Sequence, residues 1–365
     1  MSVVLGEQLE LEDYLQNFTK NESYKISTPI RFISCFSGIG CQISALKRLD
    51  YPYEDYKTSE WDAQAVKIYN AMHFQDYKNY AQDKNLDELI EFLYKKGVSL
   101  DGKTPLSYEK IKRKGLKWIT ETYNNFIATH NIGSIINVHA EDLEIVEKDK
   151  YTYILVYSYP CQAISFAGKQ EGYEKGSGTS SSLLWEIGRI LEECKEKDCL
   201  PQILLAENVA ACHSKKFLVQ FNSWLDTLDQ LGYKTFWTDM NAKDYGVPQS
   251  INRTFILSIL NKNAQYTFPE PMPLTTCMKD FLEDEVDEKF YLNTPKAKAL
   301  IEKLLERGGL KDLPINSPLG NLTPADNEKI HQRNWVYNEN GICPCITSTS
   351  YKDPARVMME KGQTT

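Results

Sequence analysis

The chain has 365 residues, 42% of them hydrophobic and 25% charged, with 15 prolines, 19 glycines and a net charge of −8. This is a globular composition, long enough for a sizeable core and two domains, and it excludes disordered and fibrous classes. No run approaches the roughly eighteen apolar residues a membrane helix needs. The opening MSVVLGEQLELEDYLQNFTKNESYKIS lacks the basic, apolar and small-residue parts of a secretion signal, so a cytoplasmic protein without membrane contact is expected. The nine cysteines are scattered, which fits a reducing compartment better than a disulfide framework. Cys343-Pro344-Cys345 and the Cys194/Cys199 pair have no second ligand pair at metal spacing, so no metal is expected. The acidity argues against a wholly basic nucleic-acid surface and leaves room for a local basic one.

Residues 1–29 read as a polar N-terminal arm. RFISCF is then a short apolar run ending in Ser37-Gly38-Ile39-Gly40, followed by a helical face of Ile43, Ala45, Leu46 and Leu49. YKTSEWD reads as a strand ending in an acid, and AQAVKIYNAMH as a helix. Residues 77–133, rich in Lys, Glu, Asp, Asn and Tyr, form an insertion with helices at LDELIEFLYKK and LKWITETYNNFIA. SIINVHAED, YTYILVYSYP, QILLAENV, KTFWTDMNA and RTFILSIL are runs of strand length. Helical stretches such as SLLWEIGRILEECKEK and FLVQFNSWLDTLDQLG lie between them. Alternating strands and helices predict an α/β domain over 30–265 with a doubly wound, mostly parallel Rossmann-like sheet. FPEPMPL marks a boundary. The remainder, 266–365, reads as a smaller region, helical and charged over 276–311 and loop-rich beyond.

Several residues fall where the strands of such a sheet end. The glycine turn Phe36-Ser37-Gly38-Ile39-Gly40 joins a strand to a helix, and many folds use such a turn for packing alone. Glu60, twenty residues past Gly40 and at the end of the next strand, stands where a ribose hydroxyl is gripped. Trp61 beside it can lie against an adenine ring, and Asp142, ending a third strand, is placed for an amino group of that ring. Together these point to a nucleoside cofactor at the carboxyl ends of the strands. Cys161 leaves the strand YTYILVYSYP through Pro160, well placed for a nucleophile, although a cysteine in a packed turn is the commoner outcome. Glu207 ends an apolar strand, where an acid is costly to bury unless paired or functional.

FSGIG, YSYPCQAIS, LLAENV, and NAKDYGVPQ followed by Arg253 occur in the order and approximate spacing of the DNA cytosine-5 methyltransferases of bacteria and phages, which the chain resembles over roughly residues 30–262. The resemblance implies transfer of a methyl group from S-adenosylmethionine to C5 of a flipped-out cytosine in double-stranded DNA. Cys161 would be the nucleophile at C6, with Glu207 on the N3/N4 edge and Arg253 on the O2 side. It further implies a cofactor set of Phe36, Gly38, Gly40, Glu60, Trp61, Asp142 and Pro160, and DNA-side residues Gln162, Ser165, Asn208 and Gln249. NWVYNENGICPCITSTS resembles the Thr-rich part of the family's target-recognition region. The chain departs from the family at Ser180 and Ile251, where arginine is usual, and the family's closing GNS-type turn is not found before Thr365. A second chain supplying that turn, a degenerate relic that only binds, and a tRNA-directed enzyme are the alternatives. AACHSKK after the glutamate motif lacks the Cys-Phe-Thr of the tRNA branch. Lys110, Lys112, Arg113, Lys114 and Lys117 are the candidates for a basic DNA-facing surface, against an ordinary solvated helix face.

Overall fold

In the computed structural model, which describes residues 24–165, 168–306, 318–322, 334–346 and 356–359, six strands form one sheet in the order β2-β1-β3-β4-β6-β5. The strands are β1 Ile30–Cys35, β2 Tyr53–Ser59, β3 Thr152–Tyr157, β4 Ile203–Val209, β5 Lys234–Asn241 and β6 Asn252–Ile259. β1 pairs in parallel with β2 and β3, and β3 in parallel with β4. The expected α/β class and mostly parallel sheet are therefore present, and β1, from the apolar run RFISCF, lies between β2 and β3 with every residue but Arg31 buried. Because the parallel strands end on one edge, Phe36, Glu60, Ser158 and Glu207 leave or end their strands on the same side. Among the described residues no helix is long and apolar enough to cross a membrane.

Helices form where the apolar period allows. In chain order they are α1 Cys41–Leu46, α2 Ala63–Tyr69, α3 Leu86–Lys95, α4 Tyr108–Lys112, α5 Leu116–Ala128, α6 Leu184–Glu196, α7 Leu218–Leu231 and α8 Pro295–Leu305. α6 buries Leu184, Ile187, Ile190, Leu191 and Cys194, one face of a helix, against the core that also holds Tyr157, Phe221 and Trp224. α7 stops at Gly232, whose left-handed φ of 105° suits a residue without a Cβ. The insertion has a core of its own around Leu89, Ile90, Leu93, Ile111, Ile119 and Phe126. α3 starts with a capping box, Asn85 and Glu88 each accepting the other's backbone amide.

Two stretches differ from expectation. SIINVHAED is not a strand: it forms 3-10 turns at Ile135–Asn137 and Ala140–Leu143. The place beside β2 is taken by Asn131, in an isolated parallel bridge with Thr58, after which Gly133 turns the chain at φ 95°. A Cβ on Gly133 would sit 2.6 Å from the Lys96 carbonyl oxygen, so the turn needs glycine. The Arg189 guanidinium then holds the segment by donating to the carbonyls of Ile135 (3.3 Å) and Val138 (2.8 Å). Likewise 276–306 is helical only at α8, with 3-10 turns at Met278–Phe281 and Glu288–Phe290. The acidic side chains before Pro295 leave no continuous apolar stripe there.

The chain divides into two compact units, residues 1–238 with 254–268, and residues 239–253 with 269–365. The segment 239–253, read from the sequence as part of the catalytic domain, thus clusters with the C-terminal residues. In that second unit the β7 (Gly320–Asn321), β8 (Trp335–Asn338) and β9 (Arg356–Met358) strands make a small sheet, with Val336, Met358 and Leu304 as its core. The arm reading for 1–29 falls largely outside the described residues, and of the Thr-rich reading for 334–350 the residues 347–350 fall outside them.

Asp55 on β2 provides a test of the packing. Burial pushes its carboxyl up to about 6, with the Tyr69 hydroxyl bond and the charges of His130 and Lys47 opposing the rise. The Tyr69 hydroxyl donates to Oδ2 at 2.8 Å, while Oδ1 is buried with no hydrogen-bond partner among the described residues. A carboxyl whose folded pKa exceeds its unfolded value near 4 binds more protons when folded. It therefore withdraws stability as pH rises from about 4 to 6, on the order of 2 kcal/mol in all. Asp55→Asn is expected to raise stability at pH 7.5 by about that amount and to flatten this part of the pH profile in urea denaturation. An unchanged profile would contradict the burial argument.

Candidate active site

A cavity of about 570 Å³ opens at the carboxyl edge of the sheet. It is lined by Phe36, Ser59, Glu60, Trp61, Gly102, Lys103 and Gly133–Ile136, and by Pro160, Gln162, Gly178, Thr179, Ser180 and Leu183. Phe36, Glu60, Trp61 and Pro160, four of the residues expected at a cofactor, are brought together here. Phe36 holds a left-handed φ of 55°, a strained state for a residue with a Cβ, and so turns the chain directly after β1.

Glu60 ties the two strand ends together. Its Oε2 accepts from the Gly38 amide at 3.0 Å, and its Oε1 from the amides of Trp61 and Asp62, both at 2.8 Å. Burial raises its pKa, and the three amide bonds oppose that rise. Gly38 and Gly40 shape the turn without lining the cavity. Gly40 has φ 87°, and a Cβ there would meet the Tyr69 ring at 2.8 Å as well as the His73 ring. The hydroxyl of Ser37, buried inside the turn, has no hydrogen-bond partner among the described residues.

Asp142, expected at the adenine amino group, does not end a strand. Asp142 sits in the second 3-10 turn, its Oδ2 accepts the His139 amide at 2.9 Å, and it is absent from the cavity lining. From the same segment Gly133–Ile136 line the cavity, following the turn at Gly133.

Beyond β3 the chain turns tightly around Cys161, whose carbonyl accepts the amides of Ile164 (3.0 Å) and Ser165 (2.8 Å). Ser181 Oγ accepts the Ala163 amide at 3.2 Å, and Gly168 follows, donating to the Ser165 carbonyl at 2.9 Å. A Cβ on Gly168 would collide with the Gln162 carbonyl group, so this turn too requires glycine. Ser180, standing where arginine was expected, donates its hydroxyl to Gln162 Oε1 at 3.2 Å at the cavity edge. Tyr157 on β3 is in register with Ala206 on β4, so Glu207 and the cysteine turn leave neighbouring strands on one edge. The Tyr159 hydroxyl is pushed well above its usual range, chiefly by burial, with the Glu207 charge among the contributing groups.

Asn208, read as a DNA-side residue, is instead 3% exposed. Its Nδ2 donates to the Tyr159 carbonyl at 2.9 Å and its Oδ1 accepts the Val209 amide at 2.8 Å. It is a strut between the end of β4 and the residues leading into Pro160-Cys161. Gln249 and Arg253 belong to the second unit. Gln249 bridges to Cys343, flanked by the Cys343 amide donating to Pro248 and the Ser250 amide to Cys343. Arg253 Nη1 donates to the Asn252 carbonyl at 2.9 Å. Lys110, Lys112, Arg113, Lys114 and Lys117 are all exposed, on or beside α4 and in the first turn of α5.

Residues 109–340 match the family model described as C-5 cytosine-specific DNA methylase. The chain belongs to this family. Type II methyltransferase M2.ScrFI of Lactococcus lactis subsp. cremoris is 36% identical over 269 residues, covering 72% of this chain and 70% of that protein. Orphan methyltransferase M.SssI of Spiroplasma monobiae is 34% identical over 340 residues, covering 91% and 82%. Among solved structures, the methyltransferase EhMeth of Entamoeba histolytica superposes with a TM-score of 0.52 at 16% identity, covering 91% of this chain and 77% of that one, a likeness of fold. As a C-5 cytosine-specific DNA methylase, the chain is a DNA cytosine-5-methyltransferase, and its cysteine, glutamate and glycine-turn motifs lie on one sheet edge.

Sequence reading missed the cavity residues Gly102, Lys103, Ser134, Ile135 and Leu183, which no motif marks, and the strut role of Asn208. The strut is testable. Asn208→Ala leaves the buried Tyr159 carbonyl without its donor and should cost about 1–3 kcal/mol in urea denaturation. Full stability in that variant would mean the link is dispensable.

Proposed function

We propose that this enzyme methylates C5 of a cytosine flipped out of double-stranded DNA, with S-adenosylmethionine as donor, in restriction–modification or phage and host DNA protection. The observation that carries the reading is the shared edge: the cysteine turn and Glu207 leave adjacent strands on one side, and Pro160 and Gln162 of that turn line the cavity together with Glu60 and Trp61. A volume of about 570 Å³ lies within the usual range of small-ligand sites, and the lining combines apolar faces with a carboxylate. Phe36, Trp61 and Pro160 fit the flat and aliphatic parts of the cofactor, and Glu60 its ribose hydroxyls. When bound, S-adenosylmethionine supplies an electrophilic methyl carbon.

The chain's own residues do the rest. C5 of cytosine is too weak a nucleophile by itself. The Cys161 thiolate adds to C6, forming a C–S bond, while the C5–C6 π electrons shift through the ring and N3 takes a proton from Glu207. The resulting enamine makes C5 nucleophilic; the C5–CH3 bond forms as the methyl–sulfur bond breaks, its electron pair leaving on sulfur with neutral S-adenosylhomocysteine. Loss of the C5 proton to a base then restores the C5=C6 bond and expels the thiolate, and the N3 proton returns to Glu207. Arg253 is assigned to the O2 side of the ring. Gln162 and Ser165, on the turn around Cys161, are assigned to the flipped base, which costs roughly a few kcal/mol to unstack. Gln249, in the second unit, is assigned to the DNA.

Ser180 and Ile251 cannot make the bidentate contacts of the arginines usual at those positions, a loss of about ten- to a hundredfold each. A duplex carrying 5-fluorocytosine blocks loss of the C5 proton and traps the cysteine adduct. With S-adenosylmethionine the chain should give a slow adduct that disappears in Cys161→Ser and rises in the double variant Ser180→Arg, Ile251→Arg. An adduct that survives Cys161→Ser, or none even in the arginine variant, would overturn the assignment.

A further inference from the structure

The insertion contributes a side of the cavity that no family motif accounts for. Ser99, 0% exposed, is bonded directly to the strand-end segment after β2: its amide donates to the Trp61 carbonyl at 2.7 Å, and its carbonyl accepts the Ala63 amide at 3.0 Å. Its hydroxyl donates to the Thr104 carbonyl at 2.8 Å and accepts the Gly102 amide at 3.1 Å, closing a loop over 99–105. Inside the loop, Asp101 accepts the amides of Lys103 (2.9 Å) and Thr104 (3.0 Å), bonds that hold its carboxyl at about 2. The loop is thus fixed to the same backbone that presents Glu60 and Trp61, and it turns Gly102 and Lys103 into the cavity wall.

We propose that Lys103 is a cofactor-binding residue supplied by the insertion, its ammonium donating to acceptors on the adenosine half of the ligand. This rests on the cofactor reading above. The half is fixed by attachment: the loop is bonded to Trp61 and Ala63, beside the residues assigned to the ring and ribose. Adenine nitrogens and ribose oxygens are acceptors, and an ammonium with three donors on a flexible stem suits them. A loop closed by its own hydrogen bonds presents that ammonium with little ordering cost on binding.

The test compares S-adenosylhomocysteine with 5′-methylthioadenosine, which keeps the adenosine and lacks the amino-acid carboxylate, by titration of the full chain. In Lys103→Met both ligands should bind about five- to tenfold more weakly, by similar factors. Lys103→Arg should restore most of the loss, and the melting temperature should not move, since Lys103 is exposed. Unchanged binding of both ligands would overturn the inference. So would weakened S-adenosylhomocysteine with unaffected 5′-methylthioadenosine, which would place the ammonium on the carboxylate. Wild-type chain that binds neither ligand would overturn the cofactor reading itself, an outcome distinct from a null effect of Lys103→Met.

Discussion

One carboxylate connects the parts of this site. Glu60 accepts three backbone amides, one from the glycine turn after β1 and two from its own strand end. Those amides have no strand partners because the chain is turning, and a buried amide without an acceptor is costly. The carboxylate satisfies them and in return is held at a fixed point on the cavity wall. The same strand end carries Trp61, whose carbonyl anchors the insertion loop, and Asp62, which caps α2 by accepting the amides of Gln64 and Ala65. The glycine turn, one helix start and the insertion are therefore all referred to Glu60 and the two residues after it.

On the neighbouring strands the same principle works through an amide side chain. Asn208 links the end of β4 to Tyr159, so that the glutamate and cysteine motifs move as one piece. Arg189 does this for the Ile135 and Val138 carbonyls, with Glu186 and Glu193 holding its guanidinium. Catalytic groups on turns need such supports, since a turn alone leaves them free to wander over distances that ruin reactive geometry. The arrangement also explains why the turns contain glycine at Gly40, Gly133 and Gly168: each brings the backbone too close to a neighbour for a Cβ.

Much of this was legible in the sequence because parallel strands are buried on both faces and read as apolar runs. Where such a run stops at Phe36-Ser37-Gly38, at Glu60-Trp61, at Pro160-Cys161 or at Glu207-Asn208, chemistry is concentrated at the end of a strand. The reading failed where local pattern was overruled by tertiary contacts. Ile135, Ile136 and Val138 look like strand residues, but Asn131 already occupies the sheet edge, and Asp142 consequently falls in a 3-10 turn. Asn208 looks like a polar surface residue at a motif, and only the structure shows that it is a buried strut. Lys103 lies in a polar stretch of the insertion, where no spacing marks one lysine above the others. Its position follows from Ser99 bonding to Trp61, a long-range contact without a local signal.

Glu60 fastens the strand ends and, in the proposed function, also contacts the cofactor. Calorimetric titration of S-adenosylhomocysteine into wild-type chain and Glu60→Gln, with circular dichroism to confirm an intact fold, addresses that directly. The glutamine keeps one acceptor oxygen and loses the charge. Wild-type binding that weakens by about tenfold or more in the variant is the predicted result. Equal binding by the two proteins would put the cofactor elsewhere and contradict the account.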